Sequence, residues 1–120
     1  MNVLVVEDND LIAMQLEMML RDSVTGEVQM VSTVAAALAA LNERTVDLAI
    51  LDIQLGDENG LVVAERCAAD RVPVILATGF ADMLLPVTYA NEQLLKKPYS
   101  MLGLQHAISR AMSRSAAKGR

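Results

Sequence analysis

Five polar residues stand out because apolar runs lead into them. Val3-Leu4-Val5-Val6 leads into Glu7 and Asp8, Leu48-Ala49-Ile50-Leu51 into Asp52, and Val74-Ile75-Leu76-Ala77 into Thr78. A shorter Leu94-Leu95 segment leads through Lys96 into Lys97 and Pro98. A short continuous apolar run between turn signals fits a strand buried on both faces of a parallel sheet. Ligands of open α/β sheets bind at the carboxyl ends of such strands. If the four runs are neighbouring parallel strands, three carboxylates, a hydroxyl and an ammonium converge at one edge. Three carboxylates close together repel strongly in a partly buried site, so a proton or a cation must offset them. Hard oxygen donors suit Mg²⁺ rather than zinc or copper. Because Mg²⁺ keeps several waters, two or three carboxylates and a carbonyl suffice to hold it.

With such an ion in place the set suits phosphoryl transfer. Cation and lysine neutralise charge on the moving oxygens, and the Thr78 hydroxyl can donate to one of them. Asp52 can attack in line, giving an aspartyl phosphate. Each residue alone has a structural reading too: Asp52 as the end of a strand, Lys97 as its ion-pair partner. The whole set at successive strand ends is what points to chemistry. No His/Cys spacing suits a transition metal, and His106, the only histidine, reads as a surface or boundary residue of the last helix.

The elements that must position these residues alternate. Strands are expected at Asn2–Val6, Val28–Val31, Leu48–Leu51, from Pro73 to Ala77 and at Leu94–Lys96. Helices are expected at about Leu11–Arg21, Val34–Asn42, Leu61–Ala69 and Met101–Ser115. Asn9 or Asp10, Ser32 or Thr33, and Ser100 can accept from the free N–H groups of a first helical turn. In the first helix Leu11, Ile12, Leu16 and Met19 form the core stripe, and Met14 and Met18 widen the apolar sector. Those two methionines are either further core or a surface for a partner helix. In the third helix Leu61, Ala64 and Cys67 or Ala68 have core spacing, and in the last Leu104, Ile108 and Ala111 face inward. Over Ile53–Asn59 a loop is expected, with Gly56 free to take angles closed to other residues and Asp57 and Glu58 as solvated acids. Residues 80–85 allow one or two helical turns before Pro86 interrupts them, so a fourth helix there is short or disordered. Alternating strands and helices imply a single α/β domain over residues 1–115, a parallel sheet with helices on both faces. Residues 116–120 read as a flexible tail.

Composition narrows the classes. The chain has 120 residues, enough for one domain with a core. It is 53% hydrophobic, which argues against disorder, and its net charge of −5 argues against nucleic-acid binding. The basic residues near the end, Arg110, Arg114, Lys118 and Arg120, suit a solvated last helical turn. No apolar stretch is long enough for a membrane span and no signal peptide is visible, so a cytoplasmic location is expected. Cys67 reads as a small core residue.

These residues together resemble the receiver domains of response regulators in two-component signalling, over nearly the whole chain. Glu7-Asp8 is similar to the family's acidic pair and Asp52 to its phosphoacceptor. Thr78 is similar to its hydroxyl residue, and Lys97 before Pro98 to its lysine. The resemblance implies a flavodoxin-like, five-stranded doubly wound sheet of order 2-1-3-4-5. It implies Mg²⁺ held by Asp8, Asp52 and the backbone carbonyl of Gln54, with Glu7 acting through water, and a cis Lys97–Pro98 bond. It also implies phosphoryl transfer from a phosphohistidine of a sensor kinase or phosphotransfer protein, docking near Met14 and Met18, without enzymatic turnover in the usual sense. Three positions depart from the family pattern. Leu94 stands where receivers carry an aromatic switch residue, the 80–93 interval is short, and Leu55-Gly56 replaces the usual Met-Pro. Leu76-Ala77-Thr78-Gly79-Phe80 is similar to a stand-alone subgroup marked by a Phe-Ala-Thr-Gly motif, which also lacks the aromatic. Switching would then proceed by ordering of the segment after Thr78, without ring rotation.

Other readings stay in view. A Mg²⁺-dependent phosphatase on a related fold places a second Asp two residues after the nucleophile, where this chain has Gln54. A receiver-like binding module would never be phosphorylated, and a receiver domain excised from a larger regulator would act through further domains. FMN binding is disfavoured, since Glu7-Asp8 would repel phosphate at the loop after the first strand.

Overall fold

A computed structural model describes residues 1–23, 26–78, 94–96 and 100–118, and of Ser23, Gln54, Thr78, Leu94, Lys96 and residues 114–118 it describes the backbone alone. In chain order the elements are β1 (Asn2–Val6), α1 (Asp10–Ser23), β2 (Glu27–Val31), α2 (Val34–Glu43) and β3 (Leu48–Asp52). Then come β4 (Gln54–Leu55), β5 (Glu58–Asn59), α3 (Leu61–Ala69), β6 (Val74–Thr78), β7 (Leu94–Lys96) and α4 (Met101–Lys118). The main sheet is parallel, with spatial order β2-β1-β3-β6-β7. Counting only its own five strands, this is the expected doubly wound, flavodoxin-like order 2-1-3-4-5. β4 and β5 form a separate two-stranded antiparallel ribbon.

The strands are continuous apolar runs because both faces of the sheet are covered. Successive side chains point to opposite faces. Leu4, Val6, Ala49, Leu51 and Leu76 therefore pack under α2 and α3, with Ala37, Ala40, Val63, Ala64 and Cys67. Val3, Val5, Leu48, Ile50 and Ile75 pack under α1 and α4, with Leu16, Leu20, Leu104, Ala107 and Ala111. The small residues of α2 let that helix lie close to the sheet. β2 borders one side of the sheet and is only half-buried, so its weak alternation is that of an edge strand.

Several expected details shift. Asn9, and not Asp10, caps α1: its Oδ1 accepts from the N–H groups of Leu11 and Ile12. Thr33, and not Ser32, caps α2 through Ala36 N–H. In α1 the core positions are Leu16 and Leu20, with Ile12 and Met19 half-buried, whereas Leu11 is exposed. Met14 and Met18 are 56% and 63% exposed, which excludes them from the core. In α3 Val63, Ala64 and Cys67 are buried, Leu61 is half-buried and Ala68 is exposed. Helix α4 continues to Lys118, past the expected end at Ser115, so 116–118 are helical. The helical turns expected at 80–85, the segment 79–93, and the Lys97–Pro98 bond lie outside the described residues.

Candidate functional site

The order of the sheet creates the site. From β1 the chain goes outward to β2 and then crosses back to β3 on the other side. Beyond the carboxyl ends of such diverging strands a crevice opens. β1 and β3 are in register with Val6 opposite Leu51, so the next residues along the two strands are Glu7 and Asp52. The N–H of Glu7 still donates to Val31 O (3.0 Å), extending the β1–β2 pairing by one residue. Glu7 and Asp52 are 4% and 8% exposed, and Asp8, in the turn before α1, is exposed.

These three acids come together. One oxygen from each of Glu7, Asp8 and Asp52 lies within 4.8 Å of the other two. Two unit charges at that separation repel by about 3.5 kcal/mol in a medium of effective dielectric about 20. The fold builds this cluster on its best-buried strands, and part of the cost is met locally, since Asn9 N–H donates to Glu7 Oε2 (3.1 Å). A donor set of hard oxygens, one member open to solvent, fits a hard divalent cation that keeps part of its water shell.

The loop after Asp52 is more ordered than its sequence suggests. The β4–β5 ribbon pairs Gln54 with Asn59 and Leu55 with Glu58, and turns through Gly56 and Asp57. Gly56 has φ +58°, a left-handed conformation at the first central position of a two-residue hairpin, which glycine accepts without strain. A Cβ placed there would lie 3.8 Å from Asp8 Oδ2, so the ribbon's tip borders the cluster. Leu55 is buried in the α2–α3 core. Gly60 N–H donates to Ile53 O (2.7 Å), and Asn59 Oδ1 accepts from Leu61 N–H (2.9 Å) at the start of α3. Any side chain on Gly60 would collide with the carbonyl oxygen of Asp52. Glu58 is exposed, as expected of a solvated acid, and its Oε1 also accepts from Val34 N–H at the start of α2 (3.2 Å).

Of the other sequence candidates, Thr78 ends β6 and its backbone pairs with Lys96. Asp52 pairs with Ala77, which puts Thr78 one residue further along the adjacent strand. Lys97 follows β7 directly in the chain and lies outside the described residues. Gln54 opens β4, two residues after Asp52, and is placed by its backbone. His106 is exposed on α4, as expected. Cys67 is fully buried in α3, and burial pushes its thiol up to about 12, with a smaller rise from Asp70 partly offset by Arg66. Such a thiol is a core side chain and not a nucleophile. Sequence reasoning missed the ribbon, because two-residue strands carry no periodic signal; Gly56 was its one visible mark.

Residues 3–109 match the profile of the response regulator receiver domain, and the chain belongs to that family. It is 31% identical over 121 residues to the virulence transcriptional regulatory protein PhoP of Salmonella typhimurium, covering 97% of this chain and 54% of PhoP. The chain thus spans about half the length of the curated relatives it matches. Among solved structures it is similar to SdrG from Sphingomonas melonis, with TM-score 0.81 and 38% identity, covering 92% of this chain and 95% of that one. SdrG has also been solved in a BeF3-activated conformation. The anti-anti-sigma factor PhyR from Bartonella quintana superposes with TM-score 0.83 at 29% identity, covering 98% of this chain and 50% of PhyR. Receiver domains serve two-component signalling, interact with histidine kinases or phosphotransfer proteins, and bind Mg²⁺ at an acidic pocket. No helix among the described residues is long and apolar enough to cross a membrane.

Proposed function

We propose that this chain is a phosphoacceptor module in which Asp52 takes a phosphoryl group from a phosphohistidine on a sensor kinase or phosphotransfer protein. The observation that carries this reading is the meeting of Glu7, Asp8 and Asp52 within 4.8 Å at the crevice between β1 and β3. Asp8, Asp52 and the backbone carbonyl of Gln54 would hold Mg²⁺, with Glu7 acting through water. When bound, the ion offsets the carboxylate repulsion and the negative charge of the phosphoryl oxygens. One Asp52 oxygen attacks phosphorus, the P–N bond of phosphohistidine breaks, and the imidazole leaves with that electron pair. The Thr78 hydroxyl donates to a phosphoryl oxygen and the Lys97 ammonium pairs with another. Attack by water later releases phosphate and restores the carboxylate. The donor is the partner's own side chain, so the module accepts a group and passes on a state without turning over a free substrate.

The docking face is proposed on α1, the helix that follows Asp8, where Met14 and Met18 are exposed and Leu11, one turn before Met14, is 67% exposed. Such an apolar row suits the helices that carry a phosphohistidine. Once phosphorylated, the module would signal by protein contact or serve as a phosphate relay or sink. We place it with the receivers marked by a Phe-Ala-Thr-Gly motif on Leu76-Ala77-Thr78-Gly79, which differs at the first position. The greater lengths of PhoP and PhyR support a second reading, a receiver domain within a larger regulator. Incubation with acetyl phosphate and Mg²⁺ followed by intact mass tests the central reading. One phosphoryl group should add to the wild type and none to Asp52→Asn. A wild type that stays unlabelled while a control receiver labels would leave a binding module instead.

A further inference from the structure

Glu58 lies outside the carboxylate cluster, yet it is tied to the site through the ribbon that borders it. In an antiparallel pair, residues directly opposite each other share a face. Glu58 is opposite Leu55, so both side chains leave the ribbon on the side of α2. Leu55 enters the core, and Glu58 reaches the rim, where its Oε1 accepts from Val34 N–H (3.2 Å). Val34 is the first residue of α2, directly after the Thr33 cap, and its N–H has no partner within its own helix. A carboxylate there also faces the positive end of the helix dipole. On the same short ribbon, Gly56 in the turn borders Asp8, and Gln54 at the open end follows Asp52 by two residues.

We infer that Glu58 is a positioning residue for the ion site: by anchoring β5 to the start of α2 it fixes the ribbon, and hence the Gln54 carbonyl and the space beside Asp8. This rests on the Mg²⁺ reading proposed above. Without the anchor, the ribbon keeps its Leu55 and Asn59 contacts and loses its third fixed point. Binding an ion must then also order the ribbon.

The test is Mg²⁺ affinity measured by calorimetry on the full chain. Removing one hydrogen bond of this kind is expected to weaken Mg²⁺ binding roughly 2- to 10-fold in Glu58→Ala. Glu58→Gln keeps an oxygen acceptor and should stay within about 2-fold of wild type. Val34→Pro removes the donor from the other side. Proline is tolerated at the first helical position, and Thr33 before it is already extended (φ −134°, ψ 160°), as a residue preceding proline requires. Val34→Pro should weaken binding as Glu58→Ala does, and the double variant should be no weaker than either single one. Wild-type affinity in Glu58→Ala, equal loss in Glu58→Gln, or additive losses in the double variant would overturn the inference while leaving Mg²⁺ binding by the wild type intact. A wild type that binds no Mg²⁺ would overturn both the inference and the reading beneath it.

Discussion

Replacing Asp8 by asparagine should make the ion-free protein more stable. One oxygen of Asp8 lies within 4.8 Å of one oxygen each of Glu7 and Asp52. Each such pair repels by about 3.5 kcal/mol at an effective dielectric of about 20 and by about 0.9 kcal/mol at that of water. Asp8 is exposed while its neighbours are buried, so solvent screening pulls its two repulsions toward the lower figure. Glu7 and Asp8 also remain chain neighbours after unfolding, which retains part of their repulsion in the reference state. The net gain expected for Asp8→Asn is about 1–2 kcal/mol. That corresponds to a rise in Tm of roughly 3–8 °C for a domain of this size. The assay is thermal unfolding at low ionic strength in a chelating buffer, repeated with Mg²⁺. At an ion concentration about 100 times its Kd, the wild type gains about 2.7 kcal/mol. The variant, short of one carboxylate ligand, gains less, so its lead over the wild type narrows or reverses. High salt, with a screening length of about 3 Å at 1 M, should shrink the difference seen without the ion. A variant less stable than wild type in chelator, or equal Mg²⁺ gains in both proteins, would refute the reasoning.

Gly60→Ala should destabilise the fold by about 1–3 kcal/mol, read by urea unfolding, because the new methyl group meets the backbone carbonyl of Asp52 and neither can yield cheaply. Cys67 should resist thiol reagents at pH 8 in the folded protein and react on unfolding. Burial pushes its thiol up to about 12 from an ordinary value of 9.0, so the unfolded chain binds fewer protons between those values. Stability should therefore fall as pH rises through that window, and a Cys67→Ala variant should lack this part of the decline. Replacing Met14 and Met18 together by lysine should slow transfer from a phosphohistidine protein at least about 10-fold at low donor concentration. Labelling by acetyl phosphate should be unchanged; equal loss in both assays would place the methionines' effect in the fold and not in docking.

The central strands were legible because a strand buried on both faces must be apolar throughout. Val3–Val6, Leu48–Leu51 and Val74–Ala77 show this directly, and the first polar residue after each run marks a sheet edge. That is why Glu7, Asp8 and Asp52 could be found together without knowing the register. The edge strand β2 gave a weak signal because solvent covers part of it. In helix α1 the expected core positions Ile12, Leu16 and Met19 are buried or half-buried, whereas Leu11 is exposed and Leu20 is buried. The helix's apolar sector is wide enough to admit Leu11 inward, but the turn that actually meets the sheet is set by Leu16 and Leu20. Leu11, Met14 and Met18 fall on the open face. The contact of Glu58 could not be read from sequence, since its partner is a backbone N–H 24 residues away, reached through a ribbon two residues long.

The most direct measurement is a structure of the protein with Mg²⁺ and beryllium fluoride, a mimic of the phosphoryl group. The account predicts an ion contacting Asp8, Asp52 and the Gln54 carbonyl, with beryllium attached to an Asp52 oxygen. An ion bound away from the β1–β3 crevice, or a fluoroberyllate group on any other side chain, would contradict it.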